Sequence, residues 1–411
     1  MKYHLITFGC QMNKADSGRI ATVLENSGYK PASVIDEADL IVVNMCSVRQ
    51  SAVDRVYGKI KYFTKLKTKN PKLKTVLTGC ILKKDKRKLA EKFDFILNIN
   101  DLAKWPAILK IGPSFQKDNY LKIKLKYQPP FSAFVPIMRG CNNFCSYCVV
   151  PYTRGREVSR PVEEIICEVK NLVKCGVKEI WLLGQNVNSY NAIPFPRLLK
   201  RINDIEGNFW VRFTSSHPKD FSDSLIDIMK EGEKITEYLN LPVQSGDDEI
   251  LKKMNRPYTI AQYKNLVKKI RKKIPDIALS TDIIVGFPGE TKKQFENTVN
   301  LFKEIKFDMA YIAKYSPRPG TAAAKLKDNV PQKEKNRREK VLTEILKKTA
   351  LENNKKYIGK TVEILMMNAD TGKTRTNKTV KVESKKNLLG RFVKVKIISA
   401  LPWGLKGKYE K

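Results

Sequence analysis

Cys141, Cys145 and Cys148 fall within one short run, Arg139-Gly140-Cys141-Asn-Asn-Phe-Cys145-Ser-Tyr-Cys148, directly after the apolar stretch Phe134–Met138. A strand that ends in a Cys-x3-Cys-x2-Cys loop must leave that loop free to gather three thiolates. Three thiolates can hold three corners of an iron–sulfur cube and leave one iron open, whereas an ordinary electron-transfer cluster takes four cysteines. An open iron can grip a substrate or cofactor, so the loop points to chemistry. Zinc is the competing reading, as three ligands plus water or four in all. The chain has two histidines, His4 and His217, no fourth cysteine adjoins the loop, and the spacing is not the paired Cys-x2-Cys of zinc sites.

The run Phe134–Met138 opens a series of alternating segments. Strands are expected at Glu179–Leu183, Trp210–Thr214, Tyr238–Leu241, Leu279–Val285 and Met309–Lys314. Helices are expected at Val162–Cys175, Phe221–Glu231, Ile260–Lys273 and Thr291–Ile305. Six βα units predict a partial (βα)6 barrel, with active groups on the loops after the strands. The cysteine loop is one of these.

A shorter α/β series precedes it. Strands Tyr3–Phe8, Leu40–Asn44 and Thr75–Thr78 alternate with helices from about Asp16 to Ser27 and Gln50 to Leu66, then a Lys-rich helix. Such alternation predicts a parallel sheet. Cys10, Cys46 and Cys80 each follow one of these strands. Ligands of open α/β sheets lie beyond the carboxyl ends of the strands, so three distant cysteines should converge there as a second three-thiolate site. Unrelated buried thiols are the alternative. A poorly patterned linker runs from Gly112 to Pro130, and a charged helix over Pro331–Asn354 leads to short strands at Thr361–Met366, Lys378–Val382 and Phe392–Ile398. The fold class is α/β: a parallel-sheet N-terminal domain (1–115), a barrel core (127–355) and a small basic β-barrel (356–411).

Composition bounds the partner. The net charge is +36, with thirteen basic against two acidic residues from Lys59 to Lys92 and fifteen against four from Lys355 to Lys411. Clustered positive charge attracts nucleic acid. No apolar run approaches a membrane span, and Met1–Cys10 is too mixed for a secretory signal. A cytoplasmic chain is expected, in which eight cysteines argue for metal chemistry over disulfides. Cys167 and Cys175 read as small packing residues, and His217 as a turn or core histidine.

The chain resembles the radical S-adenosylmethionine (SAM) methylthiotransferases. The likeness rests on Thr7-Phe8-Gly9-Cys10-Gln11-Met12-Asn13, Asn44-Met45-Cys46-Ser47-Val48-Arg49, Gly79-Cys80, the cysteine loop, and Val150-Pro151-Tyr152-Thr153-Arg154-Gly155-Arg156-Glu157-Val158-Ser159-Arg160. Met45 departs from the family's usual Thr. Leu183-Gly184-Gln185-Asn186 and Ser216-His217-Pro218 bring it nearest the branch that acts on isopentenylated adenosine at position 37 of tRNA. The last segment resembles a TRAM domain. The resemblance implies two [4Fe-4S] clusters, one on Cys141/Cys145/Cys148 that splits SAM reductively, and one on Cys10/Cys46/Cys80 that carries sulfur. It also implies a methylthio group placed on C2 of the adenosine, and separate electron and sulfur donors.

On the barrel map, Gly184, Gln185, Gln244, Arg256 and Asp282 are the candidate SAM contacts. Arg154, Arg156, Arg160, Lys373, Arg375, Lys378, Lys394 and Lys396 are the candidate contacts to the tRNA anticodon stem-loop. A monomer is expected. Methylthiolation of threonylcarbamoyladenosine, and a non-catalytic iron–sulfur RNA-binding protein, are the alternatives.

Overall fold

The computed structural model describes residues 1–48, 50–114, 120–123, 131–384 and 386–410. Its first element is a parallel sheet of β1 (Lys2–Phe8), β2 (Lys30–Pro31), β3 (Leu40–Cys46), β4 (Lys74–Cys80) and β5 (Phe95–Ile96), in the order β2-β1-β3-β4-β5. β3 is buried along its whole length, as a central parallel strand covered on both faces must be. Leu40 and Val42 pack with Trp105 on one face; Ile41, Val43 and Met45 pack with Val53 and Phe63 on the other. Met45, the departure from the family pattern, is therefore a core residue. The first helix, Gln11–Asn26, begins earlier than the sequence suggests, because Asn13 Oδ1 accepts from Cys10 N at 3.3 Å and caps it.

The expected linker is described only in part. Residues 115–119 and 124–130, with Pro129-Pro130, lie outside the described residues, as does Arg49. Between them Tyr120 and Leu121 are buried in the core of the first sheet, so this piece belongs to the N-terminal layer.

β6 (Ser132–Pro136) is followed by a small hairpin, β7 (Met138–Arg139) with β8 (Val158–Ser159), which the sequence did not announce. Then come β9 (Glu179–Leu183), β10 (Trp210–Phe213), β11 (Tyr238–Asn240), β12 (Ala278–Val285) and β13 (Met309–Lys314). They form two parallel sheets, β10-β9-β6 and β11-β12-β13, joined by the Val211–Ile235 bridge. Helices Val162–Lys174, Phe195–Asn203, Asp223–Glu231, Ile260–Lys273 and Lys292–Ile305 bury their apolar faces against the strands in one large core.

The inner wall of this curved sheet is not closed on itself. Met12 and Ala15 of the first helix pack against Trp181, Leu183, Tyr238 and Ala278, so the N-terminal layer covers the opening. After helix Gln332–Lys355 the chain makes a closed barrel of β14 (Thr361–Met366), β15 (Thr371–Thr374), β16 (Thr379–Glu383), β17 (Phe392–Leu401) and β18 (Gly404–Tyr409), in the order β14-β15-β16-β18-β17. The Trp210 ring lies 4.8 Å from Phe392, and Arg212 Nη2 donates to Thr374 O at 2.7 Å. Lys378 pairs with Asp308. Trp210 opens β10, and Asp308 immediately precedes β13.

Candidate active site

Gly140 lets the cysteine loop leave the hairpin. Its φ is +76°, and a Cβ there would stand 2.0 Å from Arg156 O. Gln185 Oε1 accepts from Gly140 N at 2.5 Å, and Cys141 N donates to Gly155 O at 3.2 Å. Further along, Ser146 N donates to Met254 O and Asn255 Nδ2 to Phe144 O. Arg256 Nη1 stands 3.7 Å from Cys145 Sγ. The loop is thus pinned from the ends of several strands. Burial pushes the Cys141 thiol up and that of Cys148 to about 12.

The three N-terminal cysteines also meet. Parallel pairing sets Phe8 beside Met45 and Cys46 beside Cys80, and Cys10 stands two residues beyond Phe8. Cys46 lies beside both Cys80, its register partner, and Cys10. The neighbouring Cys46 draws the Cys10 and Cys80 thiols down, while Cys46 itself is raised. Gly79, at φ +102°, allows this approach, since a Cβ would lie 2.2 Å from Met45 O. All six of these cysteines are free thiols. Among the described residues, no three or more His, Cys, Asp or Glu side chains are grouped to hold a metal ion. Two sets of three unpaired thiols are the donor type that iron–sulfur clusters take.

A cavity of about 780 Å³ joins Cys10 to the cysteine loop. Cys10 and Lys14 reach it from the N-terminal layer, Cys141, Cys145 and Cys148 from the loop, and Met367, Lys373 and Asn377 from the C-terminal barrel. Of the expected SAM contacts, Gln185, Gln244, Arg256 and Asp282 line it; Gly184 does not. A Cβ at Gly184 would meet Met138 Cγ at 2.6 Å, so this glycine makes room for a core side chain rather than for a ligand.

Three further lining residues were not among the sequence candidates. Asn186 Oδ1, Ser216 Oγ and His217 Nε2 are buried and have no hydrogen-bond partner. Lys219 N donates to His217 Nδ1 at 3.2 Å, which leaves the proton on Nε2. Burial drops His217 to about 2, so the ring is a neutral donor. Buried polar atoms are ordinarily hydrogen-bonded, so these three can take partners from a water or a ligand in the cavity. Their position after β9 and β10 was the available signal; His217 is the buried turn histidine the sequence suggested, capping Pro218–Asp220, and it also lines the cavity.

The RNA candidates divide. Arg154 and Arg160 do not face solvent; they are 5% and 3% exposed. Arg154 pairs with Asp16 at 2.8 Å and donates from Nε to Cys80 Sγ at 2.9 Å. Arg160 pairs with Glu168 at 2.7 Å and donates to Pro136 O. Arg375 forks onto Glu237 and Lys378 pairs with Asp308, so both tie the C-terminal barrel to the curved sheet. Lys373 turns into the cavity and donates to Thr379 Oγ1 at 2.8 Å; burial lowers its pKa. Arg156 is exposed, with its guanidinium 4.4 Å from the Phe144 ring, and Lys394 and Lys396 are exposed on β17. Cys167 and Cys175 are also exposed, contrary to a packing role.

Comparison with known proteins agrees with this layout. Residues 135–302 match the Radical SAM superfamily model, and residues 2–99 match Uncharacterized protein family UPF0004. The chain is 45% identical to a tRNA-2-methylthio-N(6)-dimethylallyladenosine synthase of Caldicellulosiruptor saccharolyticus, over 97% of this chain and 90% of that protein. It is 44% identical to the protein so named from Carboxydothermus hydrogenoformans, over 98% of each. Among solved structures, the radical S-adenosylmethionine methyltransferase TsrM of Kitasatospora setae superposes with a TM-score of 0.57 at 13% identity, covering 76% of this chain and 72% of that one. At that identity the likeness is one of fold.

Proposed function

The chain belongs to the family of tRNA-2-methylthio-N(6)-dimethylallyladenosine synthases, and from that premise we propose that it adds a methylthio group to C2 of N6-isopentenyladenosine at position 37 of tRNA. It is a radical SAM enzyme that uses SAM and a [4Fe-4S] cluster. One observation carries the rest: Cys10 and the trio Cys141, Cys145 and Cys148 line one cavity. That arrangement supports a second [4Fe-4S] cluster, on Cys10, Cys46 and Cys80, facing the first across the substrate.

When bound, SAM and its cluster supply a carbon radical able to take hydrogen from an unactivated C–H bond, chemistry that acid–base side chains lack. The protein's part is to bind, orient and exclude water. Arg256 and Gln185 hold the cysteine loop, while Gln244 and Asp282 offer polar groups to a bound nucleoside. Asn186, Ser216 and neutral His217 offer one acceptor, one hydroxyl and one fixed donor to the ligand. A base must leave its stack to enter such a cavity. Exposed Arg156, Lys394 and Lys396 would contact the anticodon stem-loop.

In this reading the units are 1–115, a partial (βα)6 core at 127–355, and a TRAM domain at 356–411. The boundaries 115 and 127 lie outside the described residues. The protein works in the cytoplasm as a monomer, with separate electron and sulfur donors. Among the described residues no helix is long and apolar enough to cross a membrane.

The test is anaerobic reconstitution with iron and sulfide, then incubation with SAM, dithionite and an anticodon hairpin. About eight irons per chain are expected from two cubes. Mass analysis should show the methylthio product on the isopentenylated hairpin. Product on a threonylcarbamoylated hairpin alone, or no 5′-deoxyadenosine at all, would overturn the assignment.

A further inference from the structure

Arg154 belongs to the barrel, six residues after Cys148, yet its side chain ends in the N-terminal layer. Its Nε donates to Cys80 Sγ at 2.9 Å, and its Nη2 donates to Asp16 Oδ2 at 2.8 Å. Asp16 is fully buried on the helix that Cys10 caps, and it also accepts from Tyr120 OH at 3.0 Å. One guanidinium thus ties the loop of the first cysteine trio to two members of the second layer, a thiol and a carboxylate. The planar fork suits this task, since one edge can meet a sulfur while the other meets an oxygen.

A buried carboxylate and a buried guanidinium need each other, and removing one partner leaves an uncompensated charge. That explains why the pair persists. It does not explain why Nε faces a sulfur, because a structural pair needs no thiol. Hydrogen bonds to cluster sulfurs and nearby charge are the levers by which a protein sets a cluster's reduction potential. A cation beside a sulfur stabilises the reduced, more negative cluster.

We infer that Arg154 is a positioning residue that sets the reduction potential of the cluster on Cys10, Cys46 and Cys80, and that it does so from the domain that carries the other cluster. This rests on the two-cluster reading given above. Because the donor arrives from the barrel, the N-terminal cluster reaches its working potential only when the two layers are docked. Loss of the guanidinium removes both the hydrogen bond and the positive charge, and leaves Asp16 facing the site, so the potential should become more negative. Lysine keeps the charge and loses the fork, so it should fall between.

The experiment uses the full chain with Cys141, Cys145 and Cys148 replaced by Ala, so that any cluster signal comes from the N-terminal trio. After anaerobic reconstitution, the cluster is titrated with dithionite in the presence of mediator dyes and followed by electron paramagnetic resonance. This is done with Arg154 intact, with Arg154→Lys, with Arg154→Gln, and with Arg154→Gln combined with Asp16→Asn. The expected order runs from the intact protein, through lysine, to a most negative midpoint for glutamine, with partial recovery when Asp16 is also neutralised. Equal midpoints in proteins that all carry about four irons would overturn the inference and leave the two-cluster reading standing. Absence of iron with Arg154 intact would instead overturn the two-cluster reading and this inference with it. If Arg154→Gln fails to fold, as judged by circular dichroism, the lysine variant decides: a negative shift supports the role, and an unchanged midpoint refutes it.

Discussion

Replacing Gly140 by alanine should empty the cysteine loop while leaving the chain folded. Gly140 has φ +76°, and an added Cβ would stand 2.0 Å from Arg156 O and 2.5 Å from its carbonyl carbon. The obstacle is backbone, so it cannot swing aside as a side chain would. A left-handed conformation alone costs an L residue about 1–2 kcal/mol. Relieving the clash pushes β7 from β8 and threatens two hydrogen bonds, Gly140 N to Gln185 Oε1 and Cys141 N to Gly155 O. Each buried donor left unmatched costs about 1–3 kcal/mol. The sum is about 3–8 kcal/mol, and at 1.4 kcal/mol per decade even the lower end weakens the organised loop more than about 100-fold. Gly155 is the internal control: its φ is +81°, but a Cβ there meets nothing within 4 Å, so Gly155→Ala carries only the conformational cost of about 1–2 kcal/mol. The assay is iron content after reconstitution and gel filtration in a background with Cys10, Cys46 and Cys80 replaced by Ala, together with 5′-deoxyadenosine formation. Gly140→Ala should lose both, and Gly155→Ala should keep most of each. Equal iron and equal SAM cleavage in the two variants would refute the steric argument.

The buried and exposed cations should separate in binding experiments. Lys394→Ala with Lys396→Ala should weaken hairpin binding and reduce its salt slope by about two, one for each phosphate no longer neutralised; an unchanged slope would remove these lysines from the interface. Arg160→Ala should lower stability by about 3 kcal/mol, the low end for a broken buried pair because Glu168 keeps Arg19 as a second partner, and should leave the salt slope unchanged. His217, held near 2 against 6.5 when unfolded, binds its proton more readily in the unfolded chain, so it costs stability as pH falls below about 6.5, at up to about 1.4 kcal/mol per pH unit. His217→Gln should make the urea midpoint less sensitive to pH between 6 and 4 and raise the KM for SAM or for RNA; the same pH sensitivity in both proteins would show that another group titrates.

Elements were legible wherever the apolar period was strong. Leu40–Cys46, Glu179–Leu183 and Trp210–Phe213 stood out because every side chain in them is buried. β15 and β18 did not, because Thr-Gly-Lys-Thr and Gly-Leu-Lys-Gly-Lys-Tyr carry too few apolar residues to mark a strand. Their neighbours in a closed barrel supply the missing hydrogen bonds. The reading of the cysteines as ligands rests on their place, since a residue at the end of each parallel strand must emerge at one edge. The cavity contacts were legible by loop and not by atom: Gln185 and Arg256 reach the site, whereas Gly184 faces Met138. Asn186 and Ser216 escaped notice because unmatched polar atoms are a property of packing, which no local pattern records.

Charge was the least legible feature, and the structure gives a reason that depends on residue type. The cations that join separate layers are mostly arginines: Arg19 to Glu168, Arg154 to Asp16, Arg212 to the Thr374 carbonyl and Arg375 to Glu237. The cations left in water are largely lysines, among them Lys59, Lys61, Lys65 and Lys69 on the helix Gln50–Lys69, and Lys394 and Lys396 on β17. A guanidinium is less strongly hydrated and presents a fixed fork, so it can be buried between domains against fixed acceptors, while an ammonium on a flexible stem prefers solvent. A net charge of +36 therefore contains two populations that a count cannot separate. One fixes the N-terminal layer and the C-terminal barrel against the curved sheet between them, and so closes the cavity that Cys10 shares with the cysteine loop. The other remains free to neutralise phosphates, and it is this second population, smaller than the total, that should set the salt dependence of RNA binding.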